Sequence, residues 1–183
     1  FPQAILQLSK LHTLNLWSNA LEGAIPAALD NLSALVRLDV SFNRFSGQLP
    51  ATLGNLSALQ RLFVEDNQLS GAVPSGLGQL SQLRVLWLAN NNFSGTLPQT
   101  LTDLSQLFAF SFAGTELCAP VNQQFGDWLA GLEELEVNTD CTNTAPVVSA
   151  GTAQQVVSGA SVQLQATATD AEFNPLTYQW QQT

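Results

Sequence analysis

Residues 80–103 read LSQLRVLWLANNNFSGTLPQTLTD. Leu80, Leu83, Leu86 and Leu88 are spaced as L-x-x-L-x-x-L-x-L, and Asn91, Phe93, Gly95, Leu97, Pro98 and Leu101 follow. The same frame recurs upstream at a constant offset of 24 residues. Its asparagines are Asn19, Asn43, Asn67 and Asn91, its glycines Gly23, Gly47, Gly71 and Gly95, and its prolines Pro26, Pro50, Pro74 and Pro98. A fixed period of this length marks a repeat architecture, in which no unit can bury its apolar side without its neighbours. Leu83, Leu86 and Leu88 therefore point inward. The segment around Leu86-Trp87-Leu88 alternates inward and outward, as a strand does. Asn91 turns the chain inward after the strand, and its amide is expected to bond backbone groups buried in the turn. Gly95 and Pro98 shape the return path, one by freeing φ and the other by fixing it.

L-x-x-L-x-L-x-x-N-x-L inside such a period signals a leucine-rich-repeat solenoid. The expected fold class is α/β, a leucine-rich-repeat right-handed superhelix with a parallel sheet on its concave face. The string L-x-x-N-x-F-S-G-x-L-P resembles the plant-specific class of these repeats, found in plant receptor ectodomains and inhibitor proteins. The resemblance implies a second, short sheet at G-x-[IVL]-P, lined by Ile25, Leu49, Val73 and Leu97. It also implies a ligand-binding concave face, since plant receptors of this class bind peptides or steroids there, sometimes with paired arginines.

The expected organisation is repeats over 1–117, a cap over 118–141, a linker over 142–146 and a second module over 147–183. Residues 1–7 match the end of a unit, with Pro2 standing 24 residues before Pro26. This reads as a fragment that lacks an N-terminal cap. Repeats start at Leu8, Leu32, Leu56, Leu80 and Leu104. The fifth has Thr115 in place of Asn and no G-x-x-P segment, as a terminal repeat that closes the core would. Val121, Phe125, Trp128, Leu129, Leu132 and Leu135 recur at helical spacing, which predicts one amphipathic helix from about Val121 to Leu135. Cys118 and Cys141 flank it. In a chain of extracellular character they suggest a disulfide, worth about 3 kcal/mol in the chain-entropy account. Beyond TNTAP, short alternating runs at Val147-Val148, 155–157, 162–166 and 176–180 read as strands. A-P-V-V-x-A-G and N-P-L-T-Y-x-W resemble the first half of a PKD-like, immunoglobulin-type β-sandwich, with Trp180 as its core tryptophan. The combination resembles bacterial secreted or surface proteins. Asp170, Glu172 and Asn174 stand where some such modules place calcium ligands. Their acidic run is thinner than a usual calcium loop, and no metal is assigned.

Hydrophobic residues make up 45% of the 183, enough for a sizeable core, and the net charge is −9. All five basic residues, Lys10, Arg37, Arg44, Arg61 and Arg84, lie at or before position 84. This argues against nucleic acid as a partner, because phosphate contacts need Lys and Arg. No run of about 20 apolar residues is present to insert in a membrane. The only histidine, His12, sits at a strand edge and reads as solvated. No catalytic set, phosphate loop or cofactor motif emerges, so the chain reads as a non-enzyme.

The informative residues are those facing outward between the inward leucines. The middle row is Asn15, Asp39, Phe63, Trp87 and Ser111. One side row is Thr13, Arg37, Arg61, Val85 and Ala109, and the other is Trp17, Ser41, Glu65, Ala89 and Ala113. The candidate ligand-binding set is Trp17, Arg37, Asp39, Arg61, Phe63, Glu65 and Trp87. Exposed aromatics mark contact surfaces, and Arg37 and Arg61 on adjacent rungs could form a fork for a carboxylate. The alternative is that Phe63 packs on Trp87 while the arginines pair with Asp39 and Glu65. The functional expectation is an extracellular or cell-surface binding protein for a protein, peptide or glycan. The rivals are the non-catalytic targeting part of a secreted hydrolase and an ice-binding repeat protein.

Overall fold

The computed structural model describes residues 1–137, together with the backbone of Val147–Ser149 and Thr167–Thr169. Each repeat contributes one three-residue strand to a main parallel sheet: β1 (Thr13–Asn15), β3 (Arg37–Asp39), β5 (Arg61–Phe63), β7 (Val85–Trp87) and β9 (Ala109–Ser111). Register holds at one full period, with Leu14, Leu38, Leu62, Leu86 and Phe110 side by side. These central residues are buried, as are Val40, Val64, Leu88 and Phe112 beyond them. The core is thus a stack of identical layers, each completed by the next.

A second parallel sheet joins β2 (Glu22–Gly23), β4 (Arg44–Gly47), β6 (Gln68–Gly71), β8 (Asn92–Thr96) and β10 (Glu116–Cys118). It starts ahead of the expected G-x-[IVL]-P segment and overlaps it at the glycine, and in β8 at Thr96 as well. Ile25, Leu49, Val73 and Leu97 follow its strands and point into the core. β2, β4 and β6 end at Gly23, Gly47 and Gly71, which take positive φ, whereas β8 runs past Gly95 to Thr96 and the Leu97 N–H donates to the Cys118 carbonyl. The fifth repeat still supplies a strand here, although it lacks the G-x-x-P segment. Its Thr115 accepts from the Leu117 N–H at 3.2 Å and donates to the Phe112 carbonyl at 2.6 Å, doing part of the missing asparagine's work.

The return path holds five-residue 3-10 turns, Gln3–Gln7, Ala27–Asn31, Ala51–Asn55, Ser75–Gln79 and Gln99–Asp103, where an α/β class leads one to expect helices. Each is entered from a proline in the extended region. A 24-residue unit has no length left for a longer helix. The turns also pack too closely for bulk: a Cβ at Gly78 would meet the Thr100 carbonyl oxygen at 2.3 Å.

The asparagines tie repeats together. Asn67 Nδ2 donates to the Val64 carbonyl (3.1 Å) and the Glu65 carbonyl (3.2 Å) in its own repeat, and to the Val40 carbonyl (3.0 Å) one repeat back. Its Oδ1 accepts from the Phe45 N–H at 2.9 Å. Asn43 and Asn91 repeat this set. Asn19 makes only the two contacts within its own turn.

The last repeat is closed by α1 (Gln123–Ala130) and by β11 (Glu134–Glu136), a sixth strand that pairs with β9. The expected helix over Val121 to Leu135 is therefore shorter at both ends. Asn122 caps it, its Oδ1 accepting from the Phe125 N–H at 2.9 Å, so Val121 falls outside and is exposed. Gly131 ends it, and Leu135 belongs to β11. Phe125 is fully buried, and Trp128 packs on Phe110 and Phe125. Glu134 and Glu136 put charge on the exposed edge strand, which discourages further pairing.

The chain divides into two units, Phe1–Cys141 and Thr142–Thr183. Of the second, β12 (Val147–Ser149) pairs antiparallel with β13 (Thr167–Thr169). The expected strands at 155–157, 162–166 and 176–180, with Asp170, Glu172, Asn174 and Trp180, lie outside the described residues. So does Cys141, and with it the expected bridge to Cys118.

Asn67→Ala is expected to cost about 3 kcal/mol, because three carbonyls and one N–H lose a partner in a turn closed to water. Asn19→Ala is expected to cost about 1 kcal/mol, because its two carbonyls are near solvent. Urea titration followed by circular dichroism checks both; equal losses would contradict the inter-repeat role.

Candidate functional site

The common register lines up the outward side chains in three rows. Asn15, Asp39, Phe63, Trp87 and Ser111 sit opposite one another, as do Thr13, Arg37, Arg61, Val85 and Ala109. The third row, Trp17, Ser41, Glu65, Ala89 and Ala113, continues along the same backbone ladder. Facing outward does not mean exposed here: Asp39, Ser41, Phe63, Glu65, Val85, Ala109 and Ser111 are all buried. Rungs about 4.8 Å apart let large side chains cover small neighbours.

These rows enclose a cleft of about 330 Å³. Exposed Asn15, Trp17, Phe42 and Trp87 form its rim, and Arg37, Asp39, Ser41, Phe63 and Glu65 line it below. Six of the seven sequence-predicted residues meet here. Arg61 is the exception: it is exposed and does not line the cleft. The paired-arginine fork is not formed. The Arg37 guanidinium donates to Asp39 Oδ2 at 2.7 Å and lies 4.5 Å from the centre of the Phe63 ring. The sequence alternative joined Arg61 to Glu65, but among the described residues Arg37–Asp39 is the one ion pair. Phe63 and Trp87 meet edge to face, 5.1 Å between ring centres.

Phe42 is the residue that sequence reasoning missed. It stands just past the outward rows, where the other repeats have Ser18, Asp66, Asn90 and Gly114. All five take positive φ, and Phe42 does so at 53°. A bulky side chain in this region costs on the order of 1 kcal/mol. Polar or small residues in the other four repeats were the signal: an aromatic is the exception at this position. Here it is 48% exposed and packs edge-on against Trp17, which is 54% exposed.

Below the aromatic rim lie two carboxylates. Asp39 is satisfied: Oδ2 by Arg37, and Oδ1 by the Ser41 hydroxyl at 2.7 Å and the Ser41 N–H at 3.3 Å. Glu65 is not. It is 8% exposed, and its Oε2 has no hydrogen-bond partner. Removal from water pushes the Glu65 carboxyl up to about 7, with the charge of Asp39 adding to the rise and nearby backbone and Ser41 hydrogen bonding opposing it.

No cluster of three or more His, Cys, Asp or Glu side chains that could hold a metal occurs among the described residues. His12 is exposed, with Nδ1 2.8 Å from the Lys10 carbonyl oxygen, and takes no part in the cleft. No described helix is long and apolar enough to cross a membrane.

A family profile described as "Leucine-rich repeat region" matches residues 1–146. Comparison with curated protein sequences gives no match. Among solved structures, the plant peptide hormone receptor RGFR1 in complex with RGF2 is 32% identical, with a TM-score of 0.66. That match covers 75% of this chain and 22% of the receptor, so the chain spans under a quarter of the receptor's length. The LRR ectodomain of the receptor kinase SOBIR1 from Arabidopsis thaliana is 38% identical over 64% of each chain, with a TM-score of 0.61. A plant ice-binding protein is 28% identical, over 75% of this chain and 44% of that one, with a TM-score of 0.65.

Because folding raises the Glu65 pKa above its unfolded value, the folded state holds this proton more tightly, and stability falls as pH rises from about 4.5 to about 7. Glu65→Gln removes the buried charge. The variant is expected to match the parent at pH 4.5 and to be more stable by about 2 kcal/mol at pH 8. Urea midpoints at the two pH values measure this; a variant less stable at pH 8 would contradict it.

Proposed function

Because the chain belongs to the leucine-rich-repeat family, we propose that it binds a peptide or protein ligand on the outward face of its main sheet, at the cleft rimmed by Trp17, Phe42 and Trp87. The observation that carries this reading is the cleft itself. A peptide would cover two aromatic side chains that are largely open to water, and such residues dominate binding energy when desolvated. The strained backbone at Phe42 is a cost that persists in a fold otherwise free to place Asn or Gly there. Likeness to a peptide hormone receptor structure supports a peptide over a glycan. The likeness to SOBIR1, solved as an ectodomain, supports an extracellular or cell-surface location.

The Cys118–Cys141 bridge belongs to this proposal, as does the reading of 147–183 as a PKD-like module of a bacterial secreted or surface protein. Both rest on sequence pattern. Ice binding has one support, the likeness to a plant ice-binding protein. The cleft face does not resemble a flat hydroxyl array: it mixes Arg, Asp, Phe, Glu and Trp.

A randomised nonapeptide library presented to the full chain tests the main reading. Selected peptides are expected to bind, and Trp17→Ala and Trp87→Ala each to weaken them by tenfold or more with the circular dichroism spectrum unchanged. Peptides that bind both variants as tightly as the parent would remove the site from this face.

A further inference from the structure

The peptide-binding reading leaves one chemical question, which side chain of the ligand enters the cleft, and this inference rests on that reading. We propose that the cleft receives a basic side chain, lysine or arginine, whose cationic head donates to Glu65 Oε2 while its methylenes lie against Trp17, Phe42 and Trp87.

Among the buried side-chain polar atoms of the described residues, one lacks a hydrogen-bond partner. Arg37 is the only cation in the lining, and it is committed to Asp39 and the Phe63 ring. The Ser41 hydroxyl and N–H occupy the other Asp39 oxygen. That leaves Glu65 Oε2, buried and unpartnered, on a side chain that lines the cavity. A buried acceptor without a donor is costly, and a ligand that supplies the donor recovers the loss. The charged groups around Glu65 are Asp39 and Asp66, whose charges act on its carboxyl, and Arg37, which shares the cleft lining. Val85, Trp87 and Ala89 on the next repeat carry none. Ionised Glu65 therefore gives the cleft two carboxylates and one guanidinium, a net negative site that repels an anionic ligand. The rim adds three aromatic rings, Trp17, Phe42 and Trp87, a ring type that attracts a cation placed over its face. The chain's charge of −9 draws cations toward it. A lysine side chain can keep its stem against an apolar rim while its head lies at a polar group beyond it.

The coupling to protonation gives a second signature. A cation binds the ionised carboxyl, and burial holds the Glu65 carboxyl at about 7 in the unliganded protein. Affinity should therefore fall as pH drops from 8 to 5, by up to about 100-fold if only the ionised form binds.

The test uses the full chain at 0.15 M salt and four acetylated, amidated nonapeptide pools, with Lys, Arg, norleucine or Glu fixed at the centre. Calorimetry or fluorescence anisotropy reads affinity at pH 8 and pH 5. The Lys and Arg pools are expected to bind at least tenfold tighter than the norleucine and Glu pools at pH 8. Glu65→Gln should remove that preference and its pH dependence, while Glu22→Gln, at an exposed residue outside the cleft, should not. If the norleucine pool binds as tightly as the Lys pool and Trp87→Ala abolishes both, the basic-group inference fails and the peptide reading stands. If no pool binds, both fail. If butylammonium alone competes as well as the Lys pool, the site belongs to free amines and the peptide assignment is overturned.

Discussion

Between the end of each main-sheet strand and the start of the second sheet, the chain turns inward and carries backbone carbonyls away from water, partly at Asn43 and Asn67 and fully at Asn91. An asparagine side chain in each of the first four repeats meets this demand, and Thr115 meets part of it in the fifth. At Asn43, Asn67 and Asn91 the amide donates to two carbonyls of its own turn and one of the preceding turn, and accepts an N–H from the preceding repeat, in or just before its second strand. The bond that satisfies the turn is therefore also the bond that couples repeats. No other side chain has donor and acceptor on one short, planar group able to do this. The main sheet keeps the same spacing as that coupling, each of its first five strands one period from the next.

Fixed register turns a sequence period into a surface. Residues 24 apart become neighbours about 4.8 Å apart, so Asp39 sits beside Phe63, and Phe63 beside Trp87. Leucines repeat on the inner side because every layer needs the same filling. The outer side is under no such demand and differs at each rung. There Ser41 and Asp39 are drawn under the rim and bonded to each other, and Arg37 is folded over Phe63. Glu65 pays the largest cost, since its carboxyl is taken from water with one oxygen unmatched. Protein interiors rarely keep such a group without a use for it.

The repeats, their inward leucines, the asparagine role and the outward rows were legible because each rests on a period that several copies repeat. The α-helical half of the fold class was not, since the turns after Pro26, Pro50, Pro74 and Pro98 are too short for anything but 3-10 geometry. Helical spacing from Val121 to Leu135 ran across a break, because Gly131 ends the helix and strand pairing to β9 then captures 134–136. The second sheet overlaps its expected place only at the glycines, and at Thr96 in β8, because β4, β6 and β8 each begin three residues ahead of their glycine. At the cleft, sequence placed six residues together through row arithmetic. It missed Phe42, whose left-handed backbone carries the ring into the cleft. It also offered Arg37 and Arg61 as a pair. Proximity in register does not set side-chain direction, and Asp39 lies two residues along the same strand to take Arg37.

The claim that joins these observations is that the cleft on the main sheet is where a ligand seats. Nitrogen-15 NMR of the labelled full chain, titrated with the lysine-centred nonapeptide pool, tests it most directly. The account predicts that the largest shifts fall on the Trp17 and Trp87 indole N–H signals and on the amides of Phe42 and Glu65, with Arg61 little moved. Shifts centred instead on 7–11 at the N-terminal end, or on the second sheet, would contradict it.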